Sequence, residues 1–278
     1  MQAQVRILNT NTDRIIIETL KVDDNGRFVE DGEYQLAGTR SYGSPVCVSF
    51  EEPAGAMTGT LLPTGNAIDT LTVSCTATQS LCEVKVSMVD AANPFVLVDA
   101  ESLPEVIRLA GPASNLFLEF MEVVRCQGAV LMGLAKSTEK ALQTRGTPKI
   151  AILSMPESLG GRREEMPDLQ VTALSMGRVH GSLQLTGAVC LICAVCTEGT
   201  IASQIAKQVE QQRMANRVSV LPRVDSFVGA AQKPRDVMIK HPGGTISGTA
   251  SLYQDGVESV QLLRTARRLF EGNVCYLA

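Results

Sequence analysis

Between His180 and Glu198 the chain runs seventeen residues, Gly181 to Thr197, without a charged side chain. A helix with no charged face must be packed inside a protein or inside a bilayer. Ser182, Gln184, Thr186 and Gly187 occupy the front of the run, and the apolar part behind them is too short to span about 30 Å of hydrocarbon. It is read as a buried core helix, Ala188 to Cys196, opened by Thr186-Gly187 and broken at Gly199. The rest of the chain has to supply the structure that surrounds it.

A length of 278 residues leaves room for two domains, and 45% apolar with 19% charged residues suits a soluble globular protein. The formal net charge is −4, and the one close set of basic residues is Arg264, Arg267 and Arg268. Nucleic-acid affinity needs many clustered phosphate contacts, so neither a nucleic-acid nor a membrane partner is expected. The eight cysteines lie mostly in apolar runs such as Pro45 to Phe50, with no compact disulfide spacing. Reduced thiols and a cytoplasmic location are the expectation. Met1-Gln-Ala-Gln is too polar for a targeting peptide.

The first third reads as β-structure: Val5–Leu8, Arg14–Val22 with the Asp24-Asn25-Gly26 turn behind it, Glu33–Leu36 and Val46–Phe50. No helix is expected in residues 1–69. Strands follow at Leu71–Ser74, Val84–Val89 and Phe95–Val98, then helices over Pro104–Ala110 and Ser114–Ser137. Lys149–Ser154 and Asp168–Val179 read as strands around a polar loop, Gly160–Pro167. Ile201–Met214 is a surface helix with Ile205 and Val209 facing inward. Strands at Val218–Leu221, Asp236–Lys240 and Ser247–Leu252 lead to a final helix over Ser259–Phe270.

Cys190-x-x-Cys193-x-x-Cys196 invites a metal reading, yet zinc sites need further ligands and His180 and His241 are the only histidines. On a helix these positions fan along one broad apolar face, which favours core packing and no metal. Thr186-Gly187 carries more meaning, because the first N–H groups of a helix are free to bind a carboxylate. Leu62–Asn66 and His241–Gly244 are turn sequences by composition. His180, just ahead of the core helix, is an acid–base candidate or a satisfied structural residue.

Taken in order, these turns resemble the PrpF family of aconitate, methylaconitate and methylitaconate isomerases. The resemblance rests on Val5-Arg-Ile-Leu-Asn-Thr-Asn-Thr12, Thr58-Gly-Thr-Leu-Leu-Pro-Thr-Gly-Asn66 with Asp69, and Asp90-Ala-Ala-Asn-Pro94. Lys149–Ser154, Ser175–His180, Thr186–Cys190, His241-Pro242 and Arg264–Leu269 continue it. It implies a mixed α/β fold of the diaminopimelate epimerase kind, two similar domains, each a curled sheet around a central helix. Residues 70–262 would form the second domain, and residues 1–69 with 263–278 an incomplete first domain.

The implied activity is cofactor-free isomerisation of an unsaturated di- or tricarboxylate. A base removes a proton next to a carboxylate, and the proton returns elsewhere in the allylic system. Thr186, Gly187, Asn66, His241 and Gly243 are the implied substrate-binding residues. The catalytic pair is left unassigned: the sequence has neither the family's "R-G-G-T-S-K-G" strand nor its "C-G-N" motif, and the resemblance places the catalytic Lys and Cys there. It departs further at Leu185, Gly243 and Gly181, and has Thr186 where true epimerases carry a second cysteine. The expectation is a chain impaired on its own, whose first sheet keeps one apolar face open around Ile7, Ile15, Ile17 and Val46 and self-associates as a homo-oligomer. The alternatives are a non-catalytic remnant or interaction module, and a 4-oxalomesaconate-type tautomerase.

Overall fold

The computed structural model describes residues 1–75, 78–156, 166–215, 234–254, 256–273 and 275. The β-branched runs at the front pair as a hairpin, β1 (Gln2–Asn9) and β2 (Arg14–Lys21), and the Asp23 carboxylate accepts from the N–H groups of Asn25 and Arg27 in the turn that follows. A small ribbon, β3 (Tyr34–Gln35) and β4 (Tyr42–Gly43), leads into β5 (Pro45–Glu51). After an irregular stretch come β6 (Asp69–Cys75), β7 (Ser80–Ala91) and β8 (Asn93–Asp99), then the helices α1 (Glu105–Ala110), α2 (Asn115–Leu131) and α3 (Thr138–Gln143). Next are β9 (Lys149–Ser154), β10 (Leu169–Ser175), β11 (Arg178–Val179), α4 (Leu185–Cys196) and α5 (Ile201–Ala215). The chain returns through β12 (Arg235–His241), β13 (Gly244–Tyr253) and β14 (Gly256–Thr265).

All but the β3–β4 ribbon join one mixed sheet in the order β1-β2-β5-β14-β13-β12-β10-β9-β8-β7-β6, with β11 beside β10. α4 touches β7 and β8 toward one edge and also β12, β13 and β14. A flat sheet cannot reach one helix from strands so far apart, so the sheet curls around α4. Every residue from Gly187 to Val195 is buried there, as the uncharged run requires. Gly248 of β13 permits the close approach: a Cβ at that position would lie 2.6 Å from Ile192 Cδ1.

The second layer follows from strand alternation. On β8, Phe95 and Leu97 face α4, while Val96 and Val98 face the outer layer of α1 and α2. β9 divides in the same way, with Ala151 and Leu153 inward and Ile150 and Ile152 outward. Strands β12, β13, β14 and β5 contribute buried apolar residues to the α4 side alone. β5 pairs with β14 from Glu51 to Pro45, so the first strands extend the same sheet. At its far edge β1 leaves Val5, Ile7 and Leu8 exposed, Ile15 and Ile17 are half-buried, and Val46 is buried.

Three expectations need correction. The helix expected over Ser259–Phe270 is strand β14 through Thr265, and the described residues beyond it form no helix. Val257 and Val260 have helical spacing while Val260 and Leu262 alternate as in a strand, and pairing with both β13 and β5 decides for the strand. The core helix starts at Leu185 rather than Ala188, which puts Thr186 and Gly187 inside its first turn. The helix after Ser114 stops at Leu131. α5 buries Ile205 and Val209 as its spacing predicts. The Val218–Leu221 strand and most of the Gly160–Pro167 loop lie outside the described residues. No single described helix is long and apolar enough to cross a membrane.

Candidate functional site

The amino end of α4 is open. Its first intrahelical bond runs from the Ala188 N–H to the Gln184 carbonyl, 2.9 Å, so the N–H groups of Leu185, Thr186 and Gly187 come before any acceptor. No side chain caps them. The Gln184 amide folds over this turn: a Cβ on Gly187 would lie 3.2 Å from its Oε1 and 3.0 Å from the Phe95 ring. Both amide atoms of Gln184 are buried without a hydrogen-bond partner. A buried, unsatisfied carboxamide above three free backbone donors is costly, and a ligand able to accept and donate there would relieve it.

The two histidines meet at this end. β11 delivers His180, whose Nδ1 lies 2.7 Å from the Ser182 carbonyl. The Ser182 N–H points to the same nitrogen at 3.2 Å, so both backbone groups of Ser182 hold the ring in place. The β12–β13 turn delivers His241, which is 7% exposed. Its Nδ1 accepts from the Gly243 N–H at 3.1 Å, so the neutral ring carries its proton on Nε2. Burial holds the His241 pKa below its usual value, and the charges of Arg264 and His180 push the same way.

Gly243 lets the turn reach the loop ahead of α4. A Cβ there would sit 2.9 Å from the Gly181 carbonyl oxygen, a backbone atom that cannot swing aside. Serine at 243, the residue of the family pattern, would therefore require the two loops to separate. Gly38 packs against the same turn, with the Gly243 carbonyl 2.9 Å from a Cβ built on it. Behind it a cavity of about 420 Å³ is bordered by Tyr34, Thr39, Ser247 and Leu263. Ser247 and Leu263 alternate with the inward-facing Ile246 and Leu262, so this hollow lies toward the outer side of the sheet, away from the helix amides.

Four of the five residues expected at the site thus come together: Thr186 and Gly187 in the first turn of α4, His241 and Gly243 on the turn beside it. Asn66 stands apart. Its amide donates to Asp69 Oδ1 at 2.7 Å while Thr64 Oγ1 donates to Oδ2 at 2.7 Å. The next residue, Ala67, lies 3.1 Å from a Cβ built on Gly199, just past the carboxyl end of α4. At 1.5 Å per residue that end is about 15 Å along the helix from Thr186. Asp90 anchors the loop between these places, its Oδ2 accepting from the N–H groups of Met57 (2.8 Å) and Thr58 (2.6 Å) and from Thr58 Oγ1. Sequence reasoning missed Gln184 and Arg264. Gln184 stands two residues before Thr186, where an N-cap side chain is a candidate in its own right.

The cysteine triplet is core. Cys190 and Cys193 are fully buried on α4, and burial pushes both thiols far above the ordinary range.

A sequence model of the PrpF protein family matches residues 2–221. The chain belongs to the PrpF family. It is similar to the 3-methylitaconate isomerase of Eubacterium barkeri, 30% identical over 98% of this chain and 66% of that one. The 2-methyl-aconitate isomerase of Shewanella oneidensis is 29% identical over 97% of this chain and 64% of its own length. The crystal structure of methylitaconate-delta-isomerase superposes with a TM-score of 0.73 at 28% identity, covering 98% of this chain and 66% of that one. The PrpF chain described here therefore spans slightly less than two thirds of the length of these relatives.

Proposed function

We propose that this chain forms the carboxylate-binding part of an isomerase for an unsaturated di- or tricarboxylate of the aconitate or methylitaconate class. The observation that carries the proposal is the open first turn of α4, where three N–H groups and the Gln184 amide have no partner among the described residues and the His241–Gly244 turn packs on the loop just ahead of them. Relatives named for methylitaconate and methyl-aconitate isomerisation support the choice of substrate class.

Removing a proton from the carbon beside a carboxylate spreads negative charge into that carboxylate. Helix amides fixed before the reaction stabilise such charge without reorganising, which is the largest single term in many enzymes. The Leu185, Thr186 and Gly187 amides would do this, and the Gln184 amide would donate from the side. The neutral His241 donates through Nε2 without competing for the proton. No residue is assigned as the base, because the resemblance places proton transfer on a lysine and a cysteine in motifs this sequence lacks. Two-thiol chemistry has no support from Cys190 and Cys193 of α4, which are buried and protonated.

The test pairs calorimetric titration of trans-aconitate with an isomerisation assay on the chain alone. Binding without turnover at an ordinary enzymatic rate, about 10 s⁻¹, is the expected result. Absence of binding contradicts the carboxylate site, and full turnover contradicts the view that this chain lacks the proton-transfer groups.

A further inference from the structure

Arg264 stands one residue from the end of β14. Val260 and Leu262 on that strand point into the core around α4. Side chains alternate along a strand, so Arg264 leaves on the same inward face. Its height along the helix follows from the register. Leu262 pairs with Gly248, and Gly248 meets Ile192 in the middle of α4. Two residues further along β14, toward the start of β13, the same register sets Arg264 opposite Ile246, two residues from Gly244 of the His241–Gly244 turn, which touches Gly181 ahead of α4, and the Arg264 charge acts on His241. Arg264 thus reaches the amino end of α4.

A guanidinium there is expensive unless it is paired. Arg264 is half-buried, and burial lowers its pKa. Arg125 and Arg213, the other arginines turned well inward, bind Glu122 and Asp168. The half-buried Arg235 donates to the Val195 carbonyl at the opposite end of α4. Arg264 has no carboxylate within 4.0 Å among the described residues, and its one hydrogen bond goes to the carbonyl of its own neighbour, Leu263. The other four of the five N–H donors on its planar fork have no hydrogen-bond partner among the described residues.

We propose that Arg264 takes a second carboxylate of the substrate, the first being held by the amides of the α4 first turn, so that the site selects di- and tricarboxylates over monocarboxylates. The inference rests on the amino end of α4 being the carboxylate site. A fork-shaped guanidinium binds a carboxylate through two parallel hydrogen bonds, and such charge-assisted pairs are the stronger kind.

The experiment is an amide-shift titration of the 278-residue chain with tricarballylate, a saturated tricarboxylate that cannot isomerise, and with crotonate, an unsaturated monocarboxylate. Arg264→Gln is expected to weaken tricarballylate by about tenfold or more and crotonate by less than about twofold. Arg264→Lys keeps the charge and loses the fork, so it should fall between the two, and it serves as the test should the glutamine variant not fold. Unchanged tricarballylate affinity in these variants, with shifts still at residues 185–187, overturns the role of Arg264 and leaves the helix site standing. Equal loss of both ligands overturns the selectivity. No shift at residues 185–187 with either ligand on the unaltered chain overturns the helix site and this inference together.

Discussion

The two ends of α4 are built on opposite principles. At the carboxyl end donors meet the last carbonyls: Thr197 Oγ1 donates to the Cys193 carbonyl at 2.7 Å, Thr200 Oγ1 to Ala194 at 2.6 Å, and Arg235 to Val195 at 3.3 Å. Gly199 turns the chain there with φ +83°, a left-handed conformation suited to glycine, and Thr200 then caps α5 by accepting from the Ser203 N–H. At the amino end the N–H groups of Leu185, Thr186 and Gly187 have no acceptor among the described residues, and a buried carboxamide beside them has no partner there. Folding alone would favour saturating both ends. The contrast fits the proposed carboxylate site, for which the amino end would give up that stability.

The sharpest way to break the comparison is to remove one hydroxyl from each end. Thr200→Val loses the Ala194 bond and the cap on α5, both buried, and should cost about 2 kcal/mol in denaturant unfolding. Thr186→Val loses no hydrogen bond that the fold makes, and should stay within about 0.5 kcal/mol. Equal losses would mean that the amino end is as structurally committed as the other.

Leu185→Pro sharpens it further. Proline is at home in the first helical position, and Gln184 is already extended at ψ 147°, the conformation proline imposes on the residue before it. The variant deletes one free N–H and should lower stability by about 1 kcal/mol, mostly through the partly buried Leu185 side chain. Trans-aconitate affinity should drop several-fold. Unaltered affinity would remove that amide from the site.

A smaller effect comes from His241. Its folded pKa lies below the unfolded value of about 6.5, so between the two the unfolded chain binds the extra proton. The stabilisation is complete above about pH 6.5 and is lost as the pH falls through the folded value. Melting temperature should decline over that window, and His241→Gln should flatten the slope whatever it does to the absolute value. The same slope in both proteins would show that His241 is not held neutral.

Thiol chemistry gives the smallest signal. Cys275 is exposed while Cys190 and Cys193 are walled inside the helix core. A thiol reagent should modify Cys275 first and reach Cys190 and Cys193 only on unfolding.

Much of this was legible in the sequence, for definite reasons. An uncharged run of seventeen residues has one soluble solution, and α4 is that helix, with its start displaced by three residues. Ile205 and Val209 were placed correctly because a surface helix buries one stripe. The end of the chain was misread because Val257 and Val260 are spaced as on a helix while Val260 and Leu262 alternate as in a strand, and the two strands that decide between them come from elsewhere in the sequence. That error hid Arg264, which as part of an exposed helix looked like one of three surface arginines and as part of β14 points at the site. Asn66 shows the converse: its neighbours form a ligand-like pattern, yet its amide is occupied by Asp69 at the saturated end of α4.

The central claim is that one end of α4 receives a carboxylate and the other does not. Backbone amide shifts during a trans-aconitate titration test it most directly. The account predicts movement at Leu185, Thr186, Gly187 and Gly243, with none at Thr197, Gly199 and Thr200. Movement confined to the carboxyl end, or to surfaces away from α4, would contradict it.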